Sequence, residues 1–102
     1  EIANWAAAYV GPQAKMLILK ASQYAQSGDI DQAQLTFKQA VSVEPTNAAA
    51  HAELGLFFMR CGHEREAIRA LQKAYELDPA APGVVSALAR LGAMPNTVEP
   101  KK

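Results

Sequence analysis

The chain has 102 residues and a mass of 10.9 kDa, enough for one domain that buries roughly two thirds of its unfolded surface. Half the residues are apolar and a fifth are charged, which excludes wholesale disorder, and ten basic side chains balance ten acidic ones, which argues against a dedicated nucleic-acid binder. A single cysteine excludes an internal disulfide framework and a cysteine-rich zinc site and leaves the compartment unread, while the lack of an apolar run of about 18 residues excludes a membrane span within this chain.

Alanine supplies 21 residues and glutamine seven, strand formers are sparse, and no run alternates apolar with polar residues, so the chain reads as all-helical. Residues 1–13 carry Trp5 and Tyr9 among alanines and end at Gly11-Pro12. The start at Glu1, with no initiator Met and no basic leader, suggests a piece of something longer. Breakers then follow at regular intervals: Gly28-Asp29, Pro45, Gly62-His63, Pro79, Pro82-Gly83 and Pro95. Each of the four main intervals holds one helix of about 12–14 residues.

The breakers repeat. Pro45 and Pro79 lie 34 apart, as do Gly28 and Gly62, Ala33 and Ala67, and Ala40 and Ala74. Conservative pairs keep the same offset: Tyr24 with Phe58, Phe37 with Leu71, Val43 with Leu77, Glu44 with Asp78. Two helices per 34 residues resembles the tetratricopeptide repeat. The second repeat, residues 48–81, carries the pattern on Leu54-Gly55, Phe58, Ala67, Leu71, Ala74 and Pro79, with His51 in the usual Trp position. The first, residues 14–47, carries it on Leu17, Ala21, Tyr24, Ala33, Phe37, Ala40 and Pro45, and departs at Lys20, where Leu is expected.

The pattern has a physical reading. Ala21 and Gly55 on each first helix (helix A), with Ala33, Ala40, Ala67 and Ala74 on each second helix (helix B), let the helices of a hairpin approach closely. Tyr24, Phe37, Phe58 and Leu71 fill the space between them. Gly28 and Gly62 supply the left-handed turn that ends helix A, Asp29 caps the next helix, and Pro45 and Pro79 end helix B. Residues 82–92 continue as a third helix A with no helix B after it, a capping helix expected to pack through Val85 and Leu88 and to stop at Met94-Pro95. Residues 93–102 read as a loose tail. In the same register Ala3 and Ala6 take the two final pattern positions of a preceding helix B, those of Phe37 and Ala40, so residues 1–13 read as the end of an upstream repeat or as an N-terminal cap.

No catalytic, cofactor or metal site is expected. His51 and His63 have no carboxylate or thiolate at ligand spacing and read as surface or interhelix histidines. Cys61 before Gly62 reads as an inert thiol, the serines form no nucleophile elbow, and Asp29 with Asp31 suits a helix dipole. Arg60, Arg65, Arg69 and Lys73, interleaved with Glu64, Glu66 and Glu76, read as a solvated salt-bridged surface.

The resemblance implies a right-handed solenoid whose A helices line a concave groove that binds peptides or partner helices. Helix geometry selects Lys15, Ile18, Ser22 and Gln26 from the first repeat. From the second it selects Ala49, Ala52, Glu53, Leu56, Met59 and Arg60, and Ser86 and Arg90 come from the cap. A subclass of the family clamps a C-terminal carboxylate with Lys and Asn there; Ile18, Ser22, Glu53 and Ser86 stand in those places, so that specificity is not expected. Ile18, Leu56 and Met59 instead suggest a mild apolar strip rimmed by Lys15, Arg60 and Arg90. The expected function is a non-catalytic protein-interaction scaffold with a protein or peptide partner and no nucleic acid. The alternative is a self-association module that forms a homo-oligomer.

Overall fold

The computed structural model describes residues 13–93. Five helices and no strand occupy them: α1 (Gln13–Gln26), α2 (Ile30–Val43), α3 (Ala48–Cys61), α4 (Glu64–Leu77) and α5 (Val84–Arg90). Helices α1 with α2, and α3 with α4, form two antiparallel hairpins. The second stacks on the first through α2 and α3, and α5 covers α4. α1 also meets α3, and α3 meets α5, so the A helices run side by side.

Local chemistry sets these boundaries. Each helix A ends on a glycine at positive φ: Gly28 at +87°, Gly62 at +85° and Gly92 at +69°. At each end two backbone bonds close the last turn. Gly28 donates to Ala25 and Asp29 to Tyr24; Gly62 donates to Met59 and His63 to Phe58; Gly92 donates to Ala89 and Ala93 to Leu88. All three are the paired closure of a glycine-terminated helix. Helix B ends differently. Glu44 and Asp78 leave the helical region just before Pro45 and Pro79, as the residue preceding a proline must. Asp29 caps α2 by accepting from the Gln32 N–H at 3.4 Å, and Asn47 caps α3 by accepting from Ala50 at 3.2 Å.

The core runs from Ala21 in α1 to Leu88 in α5, with Phe37, Phe57 and Leu71 as its largest fully buried members. Within the second hairpin a Cβ on Gly55 would fall 2.6 Å from Leu71 Cγ and 3.1 Å from the Leu71 backbone nitrogen. The expected helix contact at Gly55 is therefore present, and only a glycine fits it. Between hairpins Phe37 and Phe57 stack at a tilt, with ring centroids 5.1 Å apart. A smaller cluster of Ala14, Ala40 and Ala50 joins α1, α2 and α3.

The C-terminal cap departs from expectation in three ways. Helix α5 begins at Val84, after Gly83 at φ +79°, so Val84, Ala87 and Leu88 face the core and Val85 is 45% exposed. Positions 84, 87 and 88 share one helical face, and Val85 lies off it. The helix stops at Gly92, one turn short of the place where 34-residue spacing puts the glycine, so Met94-Pro95 does not end it. Ala93, assigned from sequence to a loose tail, belongs to the cap: its carbonyl accepts from Gln72 Nε2 at 3.1 Å. The expected helix at residues 1–13 and the tail at 94–102 lie outside the described residues, apart from Gln13, which opens α1.

Candidate concave groove

Which side chains face the groove follows from how α1, α3 and α5 lie beside one another. Between α1 and α3 is an open cleft of about 460 Å³ lined by Ser22, Ala25, Gln26, Ile30, Glu53, Phe57, Arg60 and Cys61. Four of the expected residues meet there: Ser22 and Gln26 from α1, Glu53 and Arg60 from α3. Glu53 and Arg60 are seven residues apart, two turns along one face of α3, or about 10 Å. The only ion pair within 4 Å among the described residues is Lys73–Glu76 at 3.9 Å. Glu53 and Arg60 thus present an uncommitted carboxylate and an uncommitted guanidinium along one cleft. Phe57 forms part of its floor, and half-buried Cys61 stands at its end.

The other expected groove residues divide. Lys15, Ser86 and Arg90 are exposed, as is Ala49. Ala52 is only 3% exposed and sits in the core, because in the 34-residue register it takes the place of Ile18 against the neighbouring helix. It offers no open surface. Ile18, Leu56 and Met59 are half-buried and pack against the core. Leu56 Cδ1 lies 3.5 Å from the point a Cβ on Gly83 would occupy, so the loop into α5 rests on it. The strip is partly covered by the protein's own cap, and the open part of the groove is the more polar α1–α3 cleft. Sequence reasoning missed Ala25, Ile30, Phe57 and Cys61 in its lining. Ile30 could have been found from its place, since the first residue of helix B after the Gly28-Asp29 turn returns toward the end of helix A.

Outside the groove, His51 is buried, and its Nε2–H donates to the Pro45 carbonyl at 2.7 Å. In the position where the repeat usually carries Trp, it ties α3 to the turn before it, so of the two expected readings, surface or interhelix, it is not a surface histidine. A second polar link was not anticipated. Glu44 accepts from the Ala14 N–H at 3.2 Å and from Asn47 Nδ2 at 3.0 Å, so one carboxylate supports the starts of both α1 and α3. An anion suits a helix N-terminus. The basic cluster is partly gathered: Arg69 and Lys73 join Lys38 of α2 around a hollow that also holds Glu66, while Arg60 belongs to the groove.

Among the described residues no group of three or more His, Cys, Asp or Glu could hold a metal, and no helix is long and apolar enough to cross a membrane. No curated protein matches the chain. A family profile described as the Cilia and flagella-associated protein 70 middle TPR-like domain matches residues 17–99. That span takes in both hairpins and the cap, and TPR-like domains of this kind are generally non-catalytic and of the protein-interaction type. With most of its length matched, this chain belongs to the family of Cilia and flagella-associated protein 70 middle TPR-like domains.

Proposed function

We propose that the chain is a non-catalytic scaffold that takes a short, extended peptide segment of a partner protein into the α1–α3 cleft. The observation that carries this reading is the cleft itself, open between two A helices, with Glu53 and Arg60 along one wall and ion-paired to none of the described residues. A cleft of mixed lining, with a carboxylate and a guanidinium along one wall, favours a peptide whose charges are spaced to meet both residues. Ser22 and Gln26 on the opposite wall supply neutral hydrogen-bonding groups for its backbone. The apolar strip is the lesser contributor, since Leu56 and Met59 already pack against the core.

The test is selection of binding peptides from a displayed library on the 102-residue chain, followed by affinity measurement on variants. Arg60→Glu and Glu53→Lys should each weaken the selected peptides at least about tenfold, which is about 1.4 kcal/mol, with helicity unchanged. Peptides that bind both variants as well as the parent chain would refute the groove reading.

Self-association is the rival reading. It rests on the outer face of α1, where Met16 is 65% exposed and Leu19 59% exposed.

A further inference from the structure

The two B helices, α2 and α4, flank an open hollow of about 440 Å³ floored by α3. Leu54 and Phe58 of α3 and Ala70 of α4 give it an apolar base, beside His51. Leu54 and Ala70, each 8% exposed, and His51, 9% exposed, are the most accessible of the buried side chains, and all three open here. Three cations stand around this base: Lys38 of α2, and Arg69 and Lys73 one turn apart on α4. Glu66 is the one carboxylate in the lining. All four charged residues are exposed.

The fold does not require this rim. Thirty-four residues before Glu66, Arg69, Ala70 and Lys73 stand Gln32, Leu35, Thr36 and Gln39 of α2, none of them charged. Both helices pack into their hairpins, so packing tolerates neutral side chains at these positions. The rim is not neutralised from within either. Glu64, Glu66 and Glu76 are interleaved with the cations along α4, yet the one ion pair within 4 Å among the described residues joins Lys73 to Glu76 at 3.9 Å. Lys38 and Arg69 are ion-paired to none of the described residues. Three cations against one carboxylate leave the lining positive, and it stays positive with Glu76 counted, in a chain whose net charge is zero.

We propose that this hollow docks a short acidic segment of a partner protein, with an apolar side chain on the Leu54–Phe58–Ala70 floor and carboxylates reaching Lys38 and Arg69 on opposite walls. The occupant follows from the lining. An apolar base selects a side chain rather than a bare anion, and cations on both walls select carboxylates on either side of it. The chain's own residues 94–102 carry one Glu and two Lys, a poor match for a basic rim. The balanced charge of the whole chain argues against a nucleic acid. The hollow is separate from the α1–α3 cleft: α3 meets it through Leu54 and Phe58, and meets the cleft through Glu53, Phe57 and Arg60. The inference therefore stands apart from the groove reading.

The test is a displayed library of short random peptides, selected on the full 102-residue chain and counter-selected on Lys38→Glu with Arg69→Glu. Both positions are exposed, so the double variant should keep the parent's helicity by circular dichroism. Peptides held by the parent and lost on the variant should carry acidic residues on both sides of an aromatic or aliphatic one. Each should lose at least about fivefold in affinity on Arg69→Glu alone, weaken as salt rises, and be unaffected by Arg60→Glu in the groove. Replacing the apolar residue of the peptide by glycine should also cost at least about fivefold. Lys38→Gln with Arg69→Gln, which removes the charges without reversing them, should lose the same peptides. A pool without acidic residues, or one that the double variants bind as well as the parent does, would overturn the proposal. So would displacement of the peptides by inorganic phosphate or by a single-stranded oligonucleotide at the peptide's own concentration, which would make the rim a general anion site. A dimer in sedimentation that Lys38→Glu with Arg69→Glu disperses would overturn it too, by giving the hollow to a second copy.

Discussion

The two hairpins differ most where they face their neighbours and least where they face themselves. Ala21, Ala33 and Ala40 in the first are buried as fully as Ala67 and Ala74 in the second. Each helix A closes on a left-handed glycine, and each helix B ends before a proline. Along the outer face of helix A the correspondence breaks: Met16, Lys20 and Gln23 are exposed where Ala50, Leu54 and Phe57 are buried. A repeat sequence thus carries two kinds of constraint. One comes from the partner helix inside the hairpin and is the same in every repeat. The other comes from whichever helix is stacked outside, and it differs between the two hairpins.

The comparison is sharpest at the pair in corresponding positions, Phe57 and Gln23. Phe57→Ala should cost about 3–5 kcal/mol, the range for a buried aromatic, because it empties the contact with Phe37 and Phe58. Gln23→Ala should stay within about 0.5 kcal/mol, as for an exposed position. Urea titrations of both variants measure this, and equal losses would mean that the two positions share one environment.

A smaller effect is expected inside the hairpins. Gly55→Ala would gain about 1 kcal/mol of helix propensity at an exposed site. Here the new Cβ would meet Leu71 at 2.6 Å, so overpacking of about 1–3 kcal/mol should outweigh that gain and lower the melting temperature. The corresponding swap in the first hairpin, Ala21→Gly, loses propensity with no clash relieved and should cost about 1 kcal/mol. A Gly55→Ala variant that melts higher than the parent would contradict the close approach at Leu71.

A further small loss tests the polar link between the hairpins. Asn47→Ala removes the cap on α3 and one partner of Glu44, and should cost about 1 kcal/mol by chemical denaturation. No measurable change would show that water replaces the side chain without loss.

Much of the fold was legible because hairpin positions obey local rules. Glycine at a helix end, proline after one, and small residues where two helices touch each leave a mark at a fixed 34-residue offset. The cap was less legible because its helix is a turn shorter than the repeat. Gly92 ends α5 with the same two bonds that Gly28 and Gly62 make, but the offset pointed past it to Met94-Pro95. Val85 takes the place of His51 in the 34-residue register and was expected in the core, but no helix B follows α5 among the described residues to cover it, while Val84 keeps the buried place of Ala50. In the groove, spacing brought Ser22, Gln26, Glu53 and Arg60 to one side of the A helices, and those four line the cleft. Spacing could not show that Ala52 is sealed in the core or that the Gly83 loop rests on Leu56, since both depend on a neighbouring element. The Glu44–Asn47 link left a faint signal, an acidic residue three positions before a capping asparagine.

The central claim is that two hairpins related by a 34-residue register stack through Phe37 of one and Phe57 of the other. A double-mutant cycle with Phe37→Leu and Phe57→Leu, read by urea unfolding, tests it most directly. The rings lie 5.1 Å apart, so the cycle should return a coupling of about 0.5–1.5 kcal/mol between residues 20 positions apart in the chain. Strictly additive losses would contradict the stacking of the second hairpin on the first.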